Sequence, residues 1–78
     1  MAFLKTPVQK QAININEMID EMGKDGRQEL REELNMNRIE LIRLKEKLER
    51  VAEGESIKLG ELDDLYKIVK DIYDDNSE

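Results

Sequence analysis

A chain of 78 residues with no Cys and no His can close no disulfide and offers a metal neither thiolate nor imidazole. For a core this small, oligomerisation is then the remaining aid. The formal net charge of −6, from 13 bases and 19 acids, argues against non-specific binding to nucleic acid, whose affinity rests on Lys and Arg meeting phosphates.

The length permits one domain, and with Met1 at its start the expectation is a complete small protein. No apolar run approaches the ~20 residues that span a bilayer, and Met1–Leu4 is too short for a signal-peptide core. The expectation is a cytoplasmic protein with no membrane partner. Charge is unevenly spread: residues 1–12 hold two bases and no acid, residues 53–78 three bases and nine acids. The C-terminal third therefore supplies the negative balance.

Residues 1–5 read as a flexible N-terminus with Phe3 and Leu4 as an apolar tip. A first helix is expected over 6–23. Thr6 and Gln9 have the spacing of a capping box, and Pro7 stands at the first helical position, where its fixed φ fits. The stripe Val8, Ala12, Ile15, Ile19, Met22 alternates steps of four and three, with Ile13 and Met18 beside it. The fragment Ile13–Asn16 also alternates as a strand would, but the helical stripe spans the whole segment. Gly23 and Gly26 are expected to end this helix, Gly23 in a left-handed conformation, and to let it fold back.

Residues 27–53 read as one long helix around which the rest is organised. Its seam is Leu30, Leu34, Asn37, Leu41, Leu44, Leu48, Val51, the seven-residue repeat of a coiled coil. Asn37 is the one polar seam position. Read as a register-fixing device, it predicts that Asn37→Leu raises the melting temperature and blurs the oligomeric state; read otherwise, it sits at a wet edge of the packing. Met36, Ile39 and Ile42 lie off the seam, so the middle of the helix is apolar on much of its circumference and wants cover from more than one side. Glu46–Arg50 and Lys45–Glu49 are pairs four apart on a solvated face.

Gly54 ends the long helix. Ser56 is the expected N-cap of a third helix over 57–73, with a wide stripe of Leu59, Leu62, Leu65, Tyr66, Ile68, Val69, Ile72 and Tyr73. Gly60 weakens its start, and the tail 74–78 is acidic.

No catalytic residue, cofactor site or metal site is expected. The only serines are Ser56 and Ser77, with no base to activate them, and Gly23–Gly26 lacks the spacing of a phosphate loop. Glu61, Asp63 and Asp64 lack calcium-loop spacing; acids there suit the positive end of a helix.

Glu61-Leu62-Asp63, with Leu65 two further on, resembles part of the Ser-Gln-Glu-Leu-Asp signature of the small sporulation aspartyl-phosphate phosphatases. The resemblance covers residues 39–73 and implies a two-helix hairpin acting on phosphorylated response regulators, with Glu61 and Asp63 as functional positions. Leu59 and Gly60 stand where that family has Ser and Gln.

The sequence thus leads to an all-α fold of three helices. A long coiled-coil-like helix sits in a hairpin or bundle that oligomerisation completes. The expected function is non-enzymatic, helix-mediated interaction. The first expected partner is a second copy in a dimer, with a higher oligomer or another protein as alternatives. The seam together with Met36, Ile39 and Ile42 forms the expected interface. A second reading is an oligomer that binds a small anion or nucleotide through Arg31, Arg38, Arg43 and Lys45. The phosphatase is a third.

Overall fold

The computed structural model describes residues 5–76, and these form four α-helices: α1 (Pro7–Glu21), α2 (Lys24–Leu34), α3 (Arg38–Ala52) and α4 (Leu59–Asn76). The expectation of an all-helical fold holds; the expectation of three helices does not. The expected apolar tip at Phe3 and Leu4 lies outside the described residues.

The first helix starts where its cap requires. Thr6 Oγ1 accepts from the backbone N–H of Gln9 at 3.2 Å, and the Thr6 N–H donates to Gln9 Oε1 at 2.7 Å. Two of the four orphan donors at this helix end are satisfied reciprocally. The far end differs from expectation. Gly23 is extended, with φ −69° and ψ 179°, and not left-handed. Only Met22 and Gly23 separate α1 from α2. Gly26 is no pivot but a buried residue of α2, where an added Cβ would come within 3.1 Å of Met22 Cβ.

The expected long helix is broken at Asn35-Met36-Asn37. Asn35 takes a left-handed conformation (φ 55°, ψ 48°), one that asparagine tolerates better than most residues. The Met36 N–H then reaches back to Arg31 O at 2.7 Å and the Asn35 N–H to Glu32 O at 3.2 Å, the two bonds of a Schellman stop. Asn37 restarts the chain. Its Oδ1 accepts from the Glu40 N–H at 2.8 Å, and its own N–H donates to Glu40 Oε1 at 3.2 Å. Asn37 is therefore the N-cap of α3 and not a seam residue.

A second Schellman stop ends α3. Gly54, at φ 119°, occupies the left-handed position, and Glu55 N–H bonds Arg50 O at 2.9 Å. Ser56 is not the cap of the last helix: residues 55–58 are irregular, and the Lys58 carbonyl accepts the first helical bond, from Leu62. Asp74 and Asp75, expected in the acidic tail, continue α4. The helix closes with Asn76, whose Nδ2 donates to Ile72 O and to Glu29 Oε2.

Packing follows from these breaks. α1 packs on α3 and on α4, and α2 packs on α4. Lys5 bonds the Ala52 carbonyl and Asp20 pairs with Lys45, so α1 and α3 are antiparallel. Gln11 bonds Asp63 and Glu21 accepts from Tyr73, so α1 and α4 run parallel. Glu21 raises the Tyr73 pKa above that of an ordinary phenol, first through that hydrogen bond and then through its charge. Every helix contributes to one core: Ile15 and Ile19, Leu30, Leu48 and Val51, and Leu62 and Val69 are fully buried. One core-facing polar atom, Asn16 Oδ1, has no donor among the described residues.

α1 and α4, not the segment 27–53, are thus the elements that join the others: α1 holds α3 and α4 holds α2. The seam residues Leu30, Leu41, Leu48 and Val51 are buried within a single chain, and Leu34, Leu44 and Met36 are half-buried. Asn37→Leu is expected to destabilise, reversing the sign read from the sequence. Loss of an asparagine cap costs about 1 kcal/mol, so the melt followed by circular dichroism should fall by about 4–8 °C. An unchanged or higher midpoint would remove the capping role.

Candidate binding groove

The break at residues 35–37 turns what would be one rod into two helices with a groove between them. Lys24, Arg27, Gln28 and Arg31 line it from α2, and Arg38, Leu41 and Ile42 from α3; its volume is ≈ 360 Å³. The α2 residues are spaced three and four apart and therefore share one face of that helix. The acids Glu29 and Glu33 stand on another face, beside Lys67 and Ile68 of α4. Two of the α2 acids thus stand toward α4, while Glu32 accepts from Gln28 at the groove's edge.

None of the four groove bases is in an ion pair with an acid among the described residues. The pairs found there are Lys45–Asp20, Lys47–Glu61, Arg50–Glu55 and Lys70–Asp74. Helix geometry adds to the positive field. Lys24 and Arg38 are the first residues of α2 and α3, where the exposed N–H groups and the helix dipole already present positive charge. A cation is disfavoured at such a position, and an anion is favoured.

The groove is also partly apolar. Leu41 is buried, whereas Ile42 is 55% exposed and Ile39, on the outer face of α3, is 61% exposed. The remaining exposed large hydrophobic among the described residues is Leu59, at 62%. The apolar surplus read from the sequence thus shrinks to three side chains, two of them beside the bases.

The candidate anion contacts divide. Arg31 and Arg38 both line the groove, joined by Lys24 and Arg27. Arg43 is exposed and does not line it, and Lys45 is engaged by Asp20. The phosphatase-like positions lie elsewhere. Glu61 is 3.3 Å from Lys47, and Asp63 accepts from Gln11. α3 and α4 are not a closely packed pair, because α1 packs on both; this differs from a two-helix hairpin. Among the described residues no three Asp or Glu side chains converge as a metal site requires, and no helix is long and apolar enough to cross a membrane.

In comparisons with known proteins, no family model, curated protein or solved structure matches the chain significantly. The fold defines a four-helix all-α domain with a basic, partly apolar groove, and function must be argued from that groove.

Arg38→Glu places an acid at the positive end of α3 and relieves the crowding of like charge. It should raise stability by about 0.3–1 kcal/mol, with the gain shrinking at high salt. A clear fall in the thermal midpoint would mean that Arg38 serves the fold and not the groove.

Proposed function

We propose that this chain is a non-enzymatic, helix-mediated interaction protein and that the groove between α2 and α3 is its binding surface. The observation that supports this is one coincidence: the exposed Ile42 lies in the same groove as four bases without acidic partners. An isolated exposed isoleucine is ordinary, and so is an isolated arginine. Together they suit an amphipathic helix whose apolar side chains meet Leu41 and Ile42 and whose carboxylates meet Lys24, Arg27, Arg31 and Arg38. The charge steers association and sets orientation more than it adds affinity.

The test is a titration of isotope-labelled protein with a synthetic amphipathic helix of Leu, Ala and Glu, followed by amide chemical shifts. Shifts should concentrate at residues 24–31 and 38–42 and be lost in Ile42→Asp. Shifts scattered evenly over the bundle would sink the reading.

The convergence of Arg31 and Arg38 favours a second reading: a site for a small anion such as a nucleotide phosphate. Pyrophosphate titrated into the protein should then release saturable heat, abolished by Arg31→Gln combined with Arg38→Gln. A flat isotherm for the wild type would count against it.

A further inference from the structure

The outward face of α3 carries a pattern that the bundle does not use. Ile39, Ile42, Glu46, Glu49 and Glu53 follow one another in steps of three and four, and all are exposed. They form one stripe along the helix. Its chemistry changes midway. The first half is apolar and flanked by Arg38 and Arg43, with Lys24, Arg27 and Arg31 of α2 nearby. The second half is acidic, and Glu46, Glu49, Glu53 and Glu55 surround a single base, Arg50.

We infer that this stripe docks against its own copy on a second chain, antiparallel, in a two-fold dimer. This rests on the charge of the groove reading above and names an occupant that supplies the carboxylates: the acidic half of the partner's α3. In an antiparallel pair Ile39 lies opposite position 53 and Ile42 opposite position 49, while position 46 meets itself at the dyad. Each basic half then faces an acidic half, twice per dimer, so the contact is isologous and closes at two copies.

The complementarity cannot be satisfied within one chain. The two halves sit on one rigid helix of 15 residues, its ends about 20 Å apart at 1.5 Å per residue. A parallel pair would set bases against bases, and like charges face to face are strongly disfavoured. Few apolar side chains take part, so the dimer is weak, forms at high protein concentration, and dissociates as salt rises.

Charge reversal in two halves tests this. One variant carries Arg38→Glu and Arg43→Glu; the other carries Glu49→Arg and Glu53→Arg. Arg38→Glu suits the positive end of α3 and the new bases suit its negative end, and Arg43 is exposed, so both variants should fold. Circular dichroism checks that they do.

In sedimentation equilibrium the wild-type chain should approach twice the monomer mass. Each variant alone should associate at least about tenfold more weakly. An equal mixture of the two should dimerise again, because both contacts then pair acid with base. Glu46→Leu, which removes two like charges at the dyad, should tighten the wild-type dimer.

A wild-type chain that stays monomeric, a mixture that does not recover, or growth beyond two copies would each overturn the inference. Because the groove reading is tested separately by the synthetic helix, a monomer that still binds that helix at residues 24–31 and 38–42 would refute self-docking alone. A monomer that ignores the helix would refute both.

Discussion

The reversal at Asn35-Met36-Asn37 is the constraint on which the rest of the molecule depends. Three residues stop one helix with a left-handed asparagine and start another with a capping asparagine. Had the helix continued, Leu30 and Leu48 would lie on one straight rod about 27 Å apart at 1.5 Å per residue. A chain of this size could not then have covered both without a second copy. With the break, α2 swings onto α4 while α3 lies along α1, and Leu30, Leu48 and Val51 all reach zero exposure in one core. The same break opens the groove. Core closure and the groove share a cause.

The helix ends are where the sequence spoke most clearly, and also where it was misread. Thr6-Pro7-Val8-Gln9 carries a complete start signal, and the structure has that cap. Asn37-Arg38-Ile39-Glu40 carries the same kind of signal, an asparagine followed three residues later by an acid. It was masked because the leucine spacing runs through it without a missed step, which made Asn37 look like a polar residue on a continuous seam. Periodicity measures which residues face inward; it does not say that the backbone between them is unbroken. Two short helices that both face one core keep the same alternation of three and four. Asn35, placed just before, was the second clue, since asparagine is one of the few residues at ease in the left-handed region.

The candidate site was less legible than the fold. Arg31 and Arg38 are seven apart, and on an unbroken helix they would share a face simply by spacing. In the folded chain they meet from two different helices, and Lys24 and Arg27 join them because α2 begins at Lys24 and not at Arg27. Arg43 and Lys45 look equivalent to these bases in the sequence. They are not: Arg43 is exposed outside the groove, and Asp20 of α1 takes Lys45. Which bases remain unpaired is decided by the neighbours that the fold brings, and no local pattern states this. The surroundings of Glu61 and Asp63 are likewise set by the fold: those carboxylates face Lys47 and Gln11, residues distant in the chain.

The order of charge along α3 separates a sequence shaped only by folding from one that also serves a surface. Helix electrostatics place acids at the start and bases at the end, each contributing a few tenths of a kcal/mol. Glu40 and Arg50 obey, and both are used locally: Glu40 completes the cap of α3 and Arg50 pairs with Glu55. Arg38 disobeys at the first position, and Glu49 and Glu53 disobey at the last turn and the cap. These residues are exposed, and among the described residues none of the three is part of an ion pair. Folding alone gives no reason for their order, since exchanging the signs would favour the helix. A surface that must present bases at one end and acids at the other does give a reason, because such an order repels a parallel neighbour and attracts an antiparallel one. In the proposed dimer the small electrostatic penalty within α3 would be the counterpart of specificity between chains.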